Sequence, residues 1–178
     1  MKRVVKVGSP ILRQKAKPVG KVTPEIKKLA SEMTEAMNRA RPKGVGIAAP
    51  QVGVGLRIIV VKAGDTDICM INPEIIKKEG EIVFKEGCLS VPGLYAEIRR
   101  PEKITCHFKT IGDKKAELEC EGYLARIVLH EVDHLNGILF IDYIQPGQEL
   151  DLDEDAVLPE ELVSRIMKED IHQLGETL

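Results

Sequence analysis

Between Lys103 and Glu121 the chain alternates. Ile104, Cys106 and Phe108 are apolar and Thr105, His107 and Lys109 are polar; after Gly112-Asp113, Ala116, Leu118 and Cys120 alternate with Glu117, Glu119 and Glu121. Successive side chains of a strand point to opposite faces, so this pattern reads as a β-hairpin with one core face and one wet face. It turns Cys106 and Cys120 inward and His107 outward. From Tyr123 the spacing becomes helical, through Leu124, Ile127 and Val128, and stops at Asn136-Gly137. A hairpin that runs straight into an amphipathic helix requires a mixed fold, and 178 residues suit one domain with a proper core. The class is α+β.

The other segments fit that class. Thr23-Pro24 reads as an N-cap followed by proline at the first helical position, and Ile26, Leu29, Ala30, Met33 and Met37 recur at helical spacing, giving an N-terminal helix over 24–40. "LRIIVV" (56–61) is a short, β-branched buried strand. The stretch from Cys69 to Val91 reads as short strands broken at Asn72-Pro73 and Glu79-Gly80. An acidic linker (149–155) leads to a C-terminal helix from Pro159 to about His172. We therefore divide the chain into a catalytic unit, 1–148, and an acidic tail, 149–178, that belongs to the same domain.

Composition narrows the function. Apolar residues make up 43% and charged residues 30%, so disorder is not the default reading. Residues 142–178 hold eleven acids and two bases, which leaves the body mildly basic and the tail acidic. No concentrated basic patch of the DNA-binding kind is present, and without Trp a base-stacking platform is not expected. The N-terminus shows neither a signal peptide nor a membrane span. Four cysteines without a C-x-x-C pair point to reduced thiols in a cytoplasm.

"IVLHEVDHLNG" (127–137) places His130, Glu131 and His134 in H-E-x-x-H spacing. Residues i and i+4 of a helix share a face, so both histidines can meet one ion, while Glu131 can reach a water beside it. A hydrolytic site of this type needs a third protein ligand. Glu149 and His172 lie downstream but read as solvated residues, and Cys69, Cys106 and Cys120 read as small hydrophobes. Cys88, between "KEG" and "LSVP", leaves a strand instead of filling one, and a His₂Cys set is plausible for Zn²⁺ or Fe²⁺. "GVGIAAPQVGVG" (44–55) imitates a dinucleotide fingerprint, but it follows a helix and enters a strand, the reverse of what such a motif requires. It reads better as a backbone edge open to an extended peptide, with Gln51 as a donor beside it.

Taken together, "GVGIAAPQ", "EGCLS" (86–90) and "HEVDH" (130–134) resemble the three signature motifs of the peptide deformylases. "GSPILRQKAKPV", "INPEI" and "LNGILFIDYI" extend the resemblance over most of residues 1–145. The resemblance implies antiparallel β-sheets surrounding a central metal-binding α-helix. It also implies removal of the formyl group from the N-terminal formyl-methionine of nascent bacterial or organellar proteins, here in a bacterial cytoplasm. By motif position, Cys88, His130 and His134 bind the metal and Glu131 is the acid/base. Gln51 and the Leu89 amide form the oxyanion hole. Gly46 and Ile47 pair with the peptide, and Val45, Arg126, Ile127 and His130 border the methionine. The implied metal is Fe²⁺, one per chain, with Zn²⁺, Ni²⁺ or Co²⁺ able to substitute. The implied partners are formylated nascent peptides and the ribosome, with no DNA and no membrane.

Glu86 and Asp133 are further charged residues near these motifs, and Arg99 or Arg100 is expected to pair with one of them. Two features depart from the family pattern. Leu129 stands where glutamine is usual, which implies altered packing or a lost hydrogen bond but not lost chemistry, and the acidic tail differs from a basic, ribosome-docking helix. An H-E-x-x-H endopeptidase and a catalytically silent peptide-binding or zinc-storage homologue are the rival readings.

Overall fold

The computed structural model describes residues 2–154 and 156–166. Helix α1 (Pro24–Arg39) opens where Thr23 Oγ1 accepts the Ile26 N–H, with Pro24 at the first position. Strands β1 (Gly46–Ala48), β2 (Ile58–Ala63), β3 (Thr66–Glu79), β6 (Lys103–Lys109) and β7 (Lys115–Glu121) form an antiparallel sheet in the order β1-β2-β3-β6-β7. A second antiparallel sheet joins β4 (Ile82–Cys88), β5 (Val91–Arg100) and β8 (Leu150–Leu152) in the order β4-β5-β8. Helix α2 (Gly122–Leu135) follows β7 directly. The α+β class and the antiparallel sheets around a central helix are as expected.

The apolar run in β2 is explained by burial on both faces. Ile58 and Val60 pack with Leu29, Met33 and Met37 of α1, while Ile59 and Val61 pack with Ile127, Val128 and Leu135 of α2. The large sheet therefore lies between two helices, and α2 is buried on nearly every side, from Ala125 to Leu135. A third core seats Leu94 and Ile98 of β5 on Phe140, Ile141 and Leu12. Cys106 and Cys120 are buried and His107 is exposed against Glu117, in keeping with the alternation. Leu129 is buried in the apolar cluster around α2, where its side chain suits its surroundings.

Three local readings need correction. Asn72-Pro73 does not break the chain into separate strands: β3 runs on through it, with a register shift against β6 between Ile71 and Glu74. Asn72 adopts φ 51°, which asparagine tolerates, and its amide exchanges hydrogen bonds with both backbone groups of Val19. The acidic linker contains a strand, β8, because Leu150–Leu152 pairs with the free edge of β5. The strand at 56–61 begins two residues later, at Ile58. Of the expected C-terminal helix, residues 160–166 are helical; the remainder, His172 included, lies outside the described residues.

Gly137 ends α2 with φ +74°, and a Cβ there would stand 2.6 Å from the Arg13 carbonyl oxygen. We expect Gly137→Ala to cost about 2 kcal/mol or more, read as a lower urea midpoint, because left-handed strain and a backbone clash add.

Candidate metal centre

Burial of α2 brings His130, Glu131 and His134 into the interior, and the i, i+4 spacing points both rings the same way, 5.1 Å apart between centroids. Strand β4 ends at a register shift between Gly87 and Cys88. Gly87 lets this edge lie against Tyr95, whose ring would stand 2.6 Å from any Cβ. The result places Cys88 Sγ 3.3 Å from His134 Nε2. One ligand atom from each of Cys88, His130 and His134 lies within 4.8 Å of the others. Donors that share one ion at bonds of about 2.0–2.3 Å stand roughly 3–4 Å apart, so the trio fits a single metal. Among the described residues this is the one such cluster. Glu149 is exposed and does not belong to that cluster.

Glu86 organises the surroundings. Its carboxylate accepts from Arg100 Nε and Nη2, from Arg126 Nη1 and from His130 Nδ1 at 3.0 Å. That contact commits His130 Nδ1 and leaves Nε2 for an ion. Arg100 Nη1 also donates to Asp133, which accepts from the Tyr143 hydroxyl as well, and the Arg100 guanidinium lies over the Tyr143 ring. Arg100 is thus the arginine that pairs; Arg99 turns outward to Glu81. Burial alone would raise the Glu86 carboxyl, but hydrogen bonds from His130 and Arg100 outweigh it and hold the group down at about 2.

The histidines differ. Burial, joined by the charge of His130, holds His134 well below its ordinary value, so it is neutral and ready to donate a lone pair. Burial works against protonation of His130 too, yet contacts with Cys88 and Glu86 raise it well above its ordinary value. An ion at this site takes the neutral ring, so its binding competes with protonation of His130.

Glu131 faces the opposite wall. Burial pushes its carboxyl up to about 7, and Oε2 is buried without a hydrogen-bond partner among the described residues. Gly46 on edge strand β1 permits this approach, since a Cβ there would sit 2.5 Å from Glu131 Oε1 and 2.8 Å from Ile127. The Gln51 side chain accepts from the Ala48 N–H at 2.8 Å and donates to Ser90 Oγ at 3.2 Å and Cys88 Sγ at 3.5 Å. A cleft of about 410 Å³ opens over these groups, bordered by Val45, Gly46, Leu89, Arg126 and Ile127. Ile47 is wholly buried in β1, so only its backbone is offered to that side.

Some contributors carried no recognisable sequence signal. Val5 N–H donates to the Gln51 carbonyl and Val7 N–H to the Ser90 carbonyl, each at 2.8 Å, so the N-terminal segment ties the Gln51 turn to the Cys88 loop. Backbone donors leave no trace in residue type. Ser90 and Tyr143 were missed as well; Ser90 lies within "EGCLS", where proximity to Cys88 was the available signal.

Two imidazoles, a thiol and a buried carboxylate beneath an open cleft define a metal-dependent hydrolase. The family model for polypeptide deformylase matches residues 1–149. The peptide deformylase of Halothermothrix orenii is 48% identical over 151 residues, covering 83% of this chain and 97% of that one. That of Dehalococcoides mccartyi is 41% identical, covering 91% and 98%. The crystal structure of the Thermotoga maritima peptide deformylase superposes with a TM-score of 0.78 at 43% identity, over 82% of this chain and 99% of that one. The chain belongs to the polypeptide deformylase family. It is a metal-dependent hydrolase that removes the N-terminal formyl group from formyl-methionyl nascent peptides and releases formate.

The lowered Glu86 carboxyl makes stability depend on acid. A folded value near 2 against an ordinary 4.5 gives stability that is fully present above pH 4.5 and lost as pH falls through about 2. We expect Glu86→Gln to lose roughly 3 kcal/mol at pH 7 and much less near pH 2, read by urea unfolding at both values.

Proposed function

We propose that Cys88, His130 and His134 hold one Fe²⁺, with Zn²⁺, Ni²⁺ or Co²⁺ able to substitute, and that Glu131 moves the proton in deformylation. The observation that carries this reading is the buried Glu131 carboxylate lining the cleft, whose Oε2 has no hydrogen-bond partner among the described residues, beside the three converging donor atoms. Soft thiolate and borderline imidazole suit a late divalent ion, and the ion supplies Lewis acidity that acidifies water and polarises the formyl oxygen.

The chain's own groups do the rest. Glu131 takes the proton of the attacking water and returns it to the departing amine as the formyl C–N bond breaks. Gln51 Nε2 and the Leu89 N–H donate to the formyl oxygen as it gains charge. The free edge of β1 at Gly46 and Ile47 accepts the peptide backbone as an added strand. Val45, Ile127 and the aliphatic stem of Arg126 enclose the methionine, while the Arg126 guanidinium stays on Glu86. Residues 1–148 act as the catalytic unit, and 149–178 is an appended acidic part of the same domain. The setting is the bacterial cytoplasm beside the ribosome, where formylated chains emerge. Among the described residues no helix is long and apolar enough to cross a membrane.

We expect anaerobically loaded protein to release formate from formyl-Met-Ala-Ser. Glu131→Gln should lower kcat by about 10²–10⁴-fold with metal content retained, and Gln51→Ala by roughly 10²-fold. Loss of the ion together with activity in Glu131→Gln would contradict its role as a proton carrier. Glu131 must be ionised to accept a proton, so the rate should rise with pH. A bound cation pulls the carboxyl below its metal-free value of about 7, so the midpoint of the acid limb should lie under pH 7.

Iron held by thiolate is open to oxidation. We expect the Fe²⁺ form to lose activity in air while the Ni²⁺ form persists. Prolonged stability of the Fe²⁺ form in air would count against iron.

A further inference from the structure

The charged residues of the cleft are sorted by depth. At the floor, Glu86 and Arg126 neutralise each other and Glu131 faces the donor trio. At the mouth, the charged residues lining the cleft are Lys6, Arg41, Lys43 and Lys85; all four are exposed, and among the described residues no carboxylate lines the cleft mouth with them.

The four cations are not equivalent. Lys85 pairs with Asp151 of β8, so its charge is spent on the tail. The Lys6 ammonium donates to the Leu89 carbonyl at 2.8 Å, and Arg41 Nη1 donates to the Ala40 carbonyl at 3.0 Å. Carbonyls hold these side chains in place but do not neutralise them. Among the described residues Lys43 forms no ion pair, and Arg39, close by in sequence, is engaged with Glu35 instead. Lys6 also borders a neighbouring groove lined by Asp153, Glu154, Glu160 and Glu161, so among the described residues Arg41 and Lys43 are the positive charges left unbalanced, over a cleft with low-dielectric walls that concentrates their field.

We propose that Arg41 and Lys43 make the chain selective for formylated peptides that carry Asp or Glu in the few residues after the formyl-methionine. The inference rests on the site reading given above. With the formyl group at Glu131 and the methionine against Ile127, the following residues must leave through this mouth. The C-terminus of a growing chain is remote from its formylated end, so the anions that meet the rim are side chains. Exposed ion pairs are individually weak, and about threefold per carboxylate is the expected scale. The contacts form in the ground state and persist in the transition state, so they lower KM and leave kcat nearly unchanged.

The test compares C-terminally amidated formyl-Met-Ala-Glu-Glu, formyl-Met-Ala-Gln-Gln and formyl-Met-Ala-Lys-Lys with the metal-loaded protein. At 50 mM salt we expect kcat/KM to fall in that order, by roughly tenfold between the first and the last or more, with the difference in KM. In 1 M salt, where the screening length is about 3 Å, the order should collapse. In the double variant Arg41→Glu, Lys43→Glu the order of the three peptides should invert. Equal kcat/KM values at low salt, or an order unchanged by the charge reversal, would overturn the proposal while leaving the deformylase site intact. Failure to turn over any of the three peptides would remove both this inference and the site reading beneath it.

Discussion

The Glu86 carboxylate is the contact on which the site depends. It sits on β4, two residues before Cys88, and binds Arg100 of β5, Arg126 of α2 and His130 of α2. One buried anion therefore joins the small sheet to the central helix, and does so where thiol and imidazole must meet. A carboxylate this deeply buried is tolerated because both of its oxygens are fully engaged by cationic or N–H donors. Asp133 and Tyr143 extend the same network by holding the far end of Arg100. The network joins a strand end to a helix whose ligand residues, Cys88 and His130, lie 42 residues apart in sequence.

Against that rigid side stands a second wall, edge strand β1 and the turn that carries Gln51. Gly46 lets β1 press close to Glu131, and the N-terminal segment ties the Gln51 turn to the Cys88 loop through Val5 and Val7. Between the two walls lie the buried Glu131 carboxyl, which burial pushes up to about 7, three converging side chains that could hold a metal, and a cleft that opens on a free sheet edge. The hydrolase assignment and the family membership both follow from this arrangement and its close relatives.

Much of this was legible in the sequence because it is written in side-chain pattern. The alternation over 103–121 gave β6 and β7, and the spacing of His130 and His134 gave one face of α2. What the sequence concealed depends on distance or on backbone. Cys88 had only a weak local mark, its place at the end of a strand; its position beside "GVGIAAPQ" and "HEVDH" in one family pattern is what singled it out. Asn72-Pro73 resembled a strand break because a left-handed asparagine inside a long strand is fixed by Val19, 53 residues away. The strand at Leu150–Leu152 was hidden in an acidic stretch because its pairing with β5 uses backbone groups. Leu129 looks anomalous beside the family pattern and ordinary in the fold, where it simply fills the core.

The central claim is that one thiolate and two imidazoles hold a single ion. X-ray absorption of the loaded protein tests it most directly. The account expects one sulfur at about 2.3 Å and two nitrogens at about 2.0–2.1 Å around the metal. Coordination by nitrogen and oxygen alone, with no sulfur at bonding distance, would contradict it.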